Sequence, residues 1–356
     1  IHSFPTRRSS DLVNYTDPYN EVELDVIFTG PDGVEFAMPG FWRGGAKWSV
    51  RFSAREPGLY AWRTVCSDTA NSGLHAQKGE VEVLPRLGEG YFGLHGRLLV
   101  AEDKRHFEHE DGAPFFWLGD TWWMGLSARL DWPKGFKELA ADRVEKGFSV
   151  VQIVGGPYPD MPPFDERNYN EAGYPFTEEF ASINPDYYEL ADLKLAHLVS
   201  VGLMPLIVGM WGYYLPFIGV PKIKRFWRYL IARYAAYPVS WCVCGESMMP
   251  WYLVEGFPKP SEEQRDGWTD VMGYLKATDP FHNPISIHPM GFGRDEVADD
   301  TAMDFEMLQT GHGDMDTVAP TIDMTRKAFE REPRKPVVNS DRKSTRLNSS
   351  HRIRHR

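Results

Sequence analysis

The chain opens with short segments in which apolar and polar residues alternate. Residues 21–26 (EVELDV), 48–52 (WSVRF), 59–65 (LYAWRTV) and 79–84 (GEVEVL) all follow period two. That is the pattern of a strand with one buried face. Turn chemistry separates them, as at Gly30, Pro31, Asp32 and Gly33, and again at Glu56, Pro57 and Gly58. Proline presets one dihedral there, and glycine admits a positive one. No helical window interrupts 13–84, so a small all-β sandwich is predicted there.

Residues 85–111 read as a linker, and the pattern then changes. A buried apolar strand at 115–118 (FFWL) has Asp120 and Thr121 just beyond it. Asp131 and Pro133 start a helix with Phe136, Leu139, Ala140 and Val144 on one face, and Gly147 ends it. A second strand, 148–154, carries Gln152 near its end. A Pro- and Tyr-rich loop, 155–183, is too long for a mere connector. Asn184 and Pro185 start the next helix and Gly202 ends it. The third strand, 204–210, runs into Trp211 and Gly212. Ile223, Phe226, Trp227, Leu230, Ile231 and Tyr234 then form a helical stripe.

The fourth strand is 240–244 (SWCVC). Gly245 turns the backbone there, and Glu246 sits at the C-terminal end. Ser261 and Gln264 fit a capping box for a helix that buries Trp268, Val271, Met272 and Leu275. The fifth strand, 285–288, ends on His288. The sixth, 304–309, ends on Gln309, with Gly311 and His312 behind it. Ile322, Met324, Thr325 and Phe329 lie on the helix that follows, and 336–340 is the seventh strand. Strand alternating with helix means an α/β fold with a parallel sheet. A (β/α)8 TIM-type barrel fits better than a doubly wound sheet. No Gly-rich phosphate fingerprint follows the first strand, and polar residues recur at many strand ends. The expected barrel domain is 112–340, truncated after strand seven.

Composition narrows the function classes. Aromatics make up 14%, with 12 Trp, 16 Tyr and 21 Phe. They suit both a large core and flat surfaces for sugar rings. A net charge of -11 argues against nucleic acid or an anionic membrane as partner. No apolar run approaches the ~18 residues of a membrane span. Cys66, Cys242 and Cys244 offer neither a disulfide framework nor zinc spacing.

The two ends, 1–12 and 341–356, share a basic, Ser-rich character absent elsewhere. Arg8-Ser9-Ser10-Asp11-Leu12 can be encoded CGC TCT TCC GAT CT. The reverse complement contains GAT CGG AAG AGC, which reads Asp341-Arg342-Lys343-Ser344. Both ends therefore resemble translated sequencing adapter, and the chain is expected to be a gene fragment bounded by it. The alternative is a natural basic tail at each end. Localisation, cytoplasmic or exported, stays open, as does the oligomeric state.

The candidate chemistry centres on Glu246. A carboxylate at the C-terminal end of a barrel strand is a candidate acid or base. It equally fits a helix cap or a surface pair. Asp120, Gln152, His288, Gln309 and His312 lie at strand ends and could hydrogen-bond sugar hydroxyls, or serve as satisfied structural groups. Trp122, Trp123 and Trp211 could stack on a sugar face or belong to the core. A metal centre from His288, His312 and Asp120 would make an amidohydrolase-like barrel, but no His-x-His ends the first strand. No metal and no cofactor are expected.

The segments FFWLGDTWW (115–123), WCVCGE (241–246), IHP (287–289), Gln309 with His312, and KPVVNS (335–340) together resemble the apiosidase-like barrel family of glycoside hydrolases. Asp17-Pro18-Tyr19, Gly40-Phe41-Trp42 and 48–52 resemble the β-sandwich that often precedes such barrels. The resemblance implies a retaining glycoside hydrolase acting on a plant-type polysaccharide or oligosaccharide. It implies Glu246 as acid/base and a nucleophilic Glu directly after Asn339 and Ser340. The residue there is Asp341, one methylene shorter. The alternative within this resemblance is a non-catalytic carbohydrate-binding protein. Two carboxylates suit an oxocarbenium-like transition state, one giving a proton while the other attacks. In a retaining pair they sit about 5–5.5 Å apart.

Overall fold

Phe28 and Phe52 stack at 4.2 Å with their rings 6° from parallel, and this contact joins the inner faces of two antiparallel sheets. The computed structural model describes residues 2–5, 15–54, 56–85, 90–252, 261–311, 313 and 315–342, with backbone alone at 2–5 and 341–342. One sheet runs Glu35–Pro39, Leu24–Thr29, Gly58–Cys66, Lys78–Val83 in spatial order. The other runs His2–Pro5, Trp48–Phe52, Phe41–Trp42. Period two decides what faces inward. Leu24, Val26 and Phe28 are buried, while Asp25, Ile27 and Thr29 between them are half-buried.

Three expectations shift here. The strand expected at 21–26 starts at Leu24, because Pro18–Glu21 forms a helical turn capped by Asp17. Glu35–Pro39 and Phe41–Trp42, not expected as strands, complete the two sheets. His2–Pro5, expected to stand outside the fold, pairs antiparallel with Trp48–Phe52.

Residues 85–111 are not a simple linker either. They carry the helix Tyr91–His95 and the strands Leu98–Val100 and Phe107–His109, which pair with Pro114–Phe115 in an antiparallel sheet. Phe107 packs on Trp117 at 4.9 Å and on Phe305 at 5.3 Å. Phe115 therefore pairs outside the parallel sheet, and Phe116 is 76% exposed. The first parallel strand is Gly119–Trp122, four residues later than expected. An unbroken apolar run has no alternation to mark where one strand yields to the next.

Gly119–Trp122, Val150–Val154, Met204–Val208, Ser240–Gly245 and Ile285–His288 form a five-stranded parallel sheet in chain order. Glu306–Gly311 and Val337–Arg342 form a parallel pair beside it. Asp304 N donates to Ile285 O at 2.8 Å and Ser286 Oγ to Phe305 O at 2.7 Å, joining pair to sheet. The strands alternate with the helices Lys134–Glu145, Pro185–Ser200, Val220–Tyr234, Glu262–Thr278 and Val318–Glu330. This is a mixed α/β, TIM-like arrangement. The second, third and fourth strands are buried at every residue, as a helix-covered parallel sheet requires.

The helical stripe behaves as its spacing demands. Ile223, Phe226, Trp227, Leu230, Ile231 and Tyr234 are all buried. In Lys134–Glu145 the expected apolar Val144 is instead 42% exposed, and Arg143 turns inward beside it. A charged network joins the first sheets to the helices. Arg233, fully buried, donates to Asp192 Oδ2 at 2.7 Å and to Glu189 Oε1 at 2.8 Å, while Arg51 donates to Asp192 Oδ1 at 3.1 Å. Among the described residues no helix is long and apolar enough to cross a membrane.

Candidate active site

The fourth strand ends in a bulge. Its register against the fifth shifts between Cys242 and Gly245, after which Gly245 pairs with His288. Glu246 follows with φ of 51°, a left-handed conformation that costs a side-chain-bearing residue roughly 1–2 kcal/mol. Neighbouring strands hold it there: Gly245 N donates to Met210 O at 3.0 Å, and Glu246 N to His288 O at 2.5 Å. Such a bulge re-aims a side chain. Glycine is required at two points around it. A Cβ on Gly245 would lie 2.4 Å from ring carbons of Trp211, and one on Gly212 would lie 2.4 Å from Glu246 O.

Glu246 is buried, with 6% of the residue exposed, and both its carboxylate oxygens are held. Trp211 Nε1 donates to Oε2 at 3.2 Å, and Gln309 Nε2 donates to Oε1 at 3.0 Å. An aromatic wall stands beside it. Trp123 meets Trp211 edge to face at 5.1 Å and His288 at 5.1 Å, and Trp211 lies 5.9 Å from His288. Ser340, on the seventh strand, donates its hydroxyl proton to Leu308 O at 3.0 Å. It therefore accepts from His288 Nδ1 at 3.0 Å, which places a proton on that ring nitrogen.

Glu246, Trp123, Trp211, His288 and Gln309 thus come together. Gln152 lies buried on the second strand, and its Nε2 has no hydrogen-bond partner among the described residues. Asp120 and Trp122 do not join the site. Trp122 packs edge to face on Phe136 of the outer helix at 5.4 Å and gives its Nε1 proton to Asp120 Oδ2 at 2.7 Å. Asp120 also pairs with Arg143 of that helix. With the first strand at Gly119–Trp122, alternation turns these two outward and Trp123 inward. Asp120 consequently does not converge with His288 on any metal. His312 and the side chain of Asp341 lie outside the described residues; the Asp341 backbone pairs in register with Gln309.

Sequence reasoning missed the groups behind the site. Glu296, at 5% exposure, accepts from Met290 N on Oε1, and the Ser247 hydroxyl lies 2.9 Å from its Oε2 and 3.0 Å from its carbonyl oxygen. Burial pushes the Glu296 carboxyl above the usual range, and those hydrogen bonds hold it back. Gln264 Nε2 donates to Ser247 O and, at 3.3 Å, to Met249 O. Across the rim, Asp160 N donates to Tyr252 OH at 3.1 Å and the phenol returns its proton to Asp160 Oδ1, tying the loop after the second strand to the one after the fourth.

Several known proteins share this architecture. One protein from Bacteroides vulgatus ATCC 8482, assigned as a glycoside hydrolase, matches with TM-score 0.66 and 18% identity over 94% of this chain and 62% of its own. A glycoside hydrolase family 5 structure from the same organism matches with TM-score 0.56 and 22% identity, over 69% of this chain and 53% of its own. An endo-1,4-beta-mannanase from Rhizomucor miehei matches with TM-score 0.52 and 14% identity, over 69% of this chain and 82% of its own. At these identities the likeness is one of fold. The chain spans less than two thirds of the two Bacteroides proteins. No curated protein matches it. A domain of unknown function, DUF5060, matches residues 7–67. The model of the apiosidase-like catalytic domain matches residues 101–343, and the chain belongs to that family.

Proposed function

We propose that the protein is a retaining glycoside hydrolase acting on a plant-type polysaccharide or oligosaccharide, its strands being those of a (β/α)8 barrel. Glu246 is the acid/base, and the carboxylate at position 341 is the nucleophile. The observation that carries this reading is Glu246 itself. It is a buried carboxylate at the end of the fourth parallel strand, held on both oxygens and walled by Trp123, Trp211 and His288. Family membership supports it.

In the proposed reaction the Glu246 carboxyl protonates the glycosidic oxygen as its bond to the anomeric carbon breaks. The carboxylate at 341 attacks that carbon and forms a glycosyl ester. Glu246, now ionised, takes a proton from water as the water displaces the ester, which regenerates both groups. Trp211 and Gln309 orient Glu246 throughout, and the aromatic wall offers faces to a sugar ring.

The test compares leaving groups. Glu246→Gln should slow hydrolysis of glycosides with poor leaving groups at least about a hundred-fold, and that of activated aryl glycosides far less, because these need little protonation. Equal rates for variant and parent on a natural glycan would remove Glu246 from the mechanism. Sugar binding with no cleavage by the parent would leave a carbohydrate-binding protein instead.

A further inference from the structure

The turns that carry Glu246 and His288 meet at one buried carboxylate that the proposed reaction does not use. Glu296 lies in the segment between the fifth and sixth strands, just past the helical turn Gly293–Asp295. Its Oε1 takes the backbone N–H of Met290, two residues beyond His288. Its Oε2 faces the hydroxyl of Ser247, the residue directly after Glu246. Glu246 N in turn donates to His288 O, so the two turns are bonded to each other and to the same post.

We infer that Glu296 is a positioning residue for acid/base catalysis: its carboxylate fixes the Ser247 and Met290 turns and so sets the Glu246 carboxyl at the glycosidic oxygen. The inference rests on the proposed role of Glu246. The bonding pattern gives the reason that a carboxylate is needed. The groups facing the Glu296 carboxylate are donors, the backbone N–H groups of Met290, Ser247 and Met248 together with the Ser247 hydroxyl, whose one proton is shared with Glu296 O, and an ionised carboxylate only accepts. Glutamine would turn one N–H2 against a donor. Burial raises the cost of that mismatch, because no water can fill in. The left-handed backbone at Glu246 adds to the need, since a strained conformation persists only where its surroundings over-determine it.

A merely structural post and a positioning post differ in how their loss depends on the leaving group. Glu296→Gln, Ser247→Ala and Glu246→Gln would be measured in the full chain on aryl glycosides of graded leaving-group acidity, with rates referred to folded protein. If Glu296 positions the acid, Glu296→Gln lowers kcat/KM about ten-fold or more on poor leaving groups and under about three-fold on activated ones. The fall lies in kcat rather than KM. Ser247→Ala, which removes only the hydroxyl link, shows the same dependence more weakly. An equal fall on all substrates, with Glu246→Gln still leaving-group dependent, overturns the inference and spares the role of Glu246. No leaving-group dependence in Glu246→Gln removes that role, and this inference with it.

Discussion

Gln309 Nε2 donates to Glu246 Oε1 at 3.0 Å, joining the end of the sixth strand to the end of the fourth. The opposite oxygen takes the Trp211 indole at 3.2 Å. The two donors are not equivalent. An indole N–H can only donate, whereas an amide can turn and present its oxygen. Gln309 Oε1 has no hydrogen-bond partner among the described residues, so that alternative is open to it.

Gln309→Leu should therefore lower kcat/KM on an unactivated glycoside about ten- to a hundred-fold, since a hydrogen bond to a charged group is worth about 1.5–3 kcal/mol. The thermal midpoint should move little. Parent-level rates in the variant would show that Trp211 alone suffices to orient Glu246.

Gly245→Ala tests the close approach of two turns. The new methyl would lie 2.4 Å from ring carbons of Trp211, and that indole cannot retreat without releasing Glu246. Overpacking of this kind costs roughly 1–3 kcal/mol. The expected outcome is a lower thermal midpoint together with a loss of activity larger than the loss of folded protein. A variant as active and as stable as the parent would mean that the strand end moves freely.

What was legible in the sequence followed periodicity. The stripe from Ile223 to Tyr234 could be read directly because a helix repeats every 3.6 residues. Glu246 could be read because Trp241, Cys242, Val243 and Cys244 make an unbroken buried strand before a glycine. Trp122 and Trp123 cannot both face the mouth under period two, but the unbroken apolar run before Gly119 hides where the parallel strand starts and so which of them turns inward. Glu296 left no trace, since it sits in an aperiodic connection and reaches Ser247 only through the fold. Gln309 is legible as a strand-end polar group, while its bond to Glu246 depends on how the sixth strand closes on the fourth.

Asp192 lies between two guanidinium groups, Arg51 from the first sheets and Arg233 from the helix Val220–Tyr234. Arg233 is wholly buried, so without Asp192 its guanidinium keeps only Glu189 as a carboxylate partner and is left under-compensated in a dry site. Asp192→Ala should cost about 3–5 kcal/mol in denaturant unfolding. A change below about 1 kcal/mol would class the pair with exposed surface bridges.

Glu306 gives the stability a pH dependence. Its side chain is buried, neither oxygen has a hydrogen-bond partner among the described residues, and the nearest cation is Arg331 Nη1 at 3.7 Å. Burial pushes its carboxyl from the usual 4.5 up to about 7. The folded form then binds the proton more tightly than the unfolded chain. This contribution is fully present below about 4.5 and is lost as pH rises through about 7. Glu306→Gln should flatten the fall in thermal midpoint between those limits and leave the variant the more stable of the two above pH 7. An unchanged slope would show that the carboxyl stays ionised in the fold.

The last prediction concerns position 341. On the strand Val337–Arg342, Asn339 turns to Thr310 at 3.0 Å and Ser340 turns to His288. The register shifts on both sides of the Gln309–Asp341 pair. Gln309, bonded to Glu246, is also the strand partner of residue 341, the position proposed for the nucleophile. Aspartate reaches one methylene less far than glutamate, and retaining chemistry needs the two carboxylates about 5–5.5 Å apart. Asp341→Glu should therefore raise kcat about ten-fold or more, and Asp341→Asn should abolish turnover. Azide separates the two roles. With Asp341→Gly and an activated aryl glycoside, azide takes the place of the lost nucleophile and gives a glycosyl azide of inverted configuration. With Glu246→Gly, azide attacks the glycosyl ester and gives the retained product. Parent-level turnover in Asp341→Asn would place the nucleophile elsewhere in the barrel.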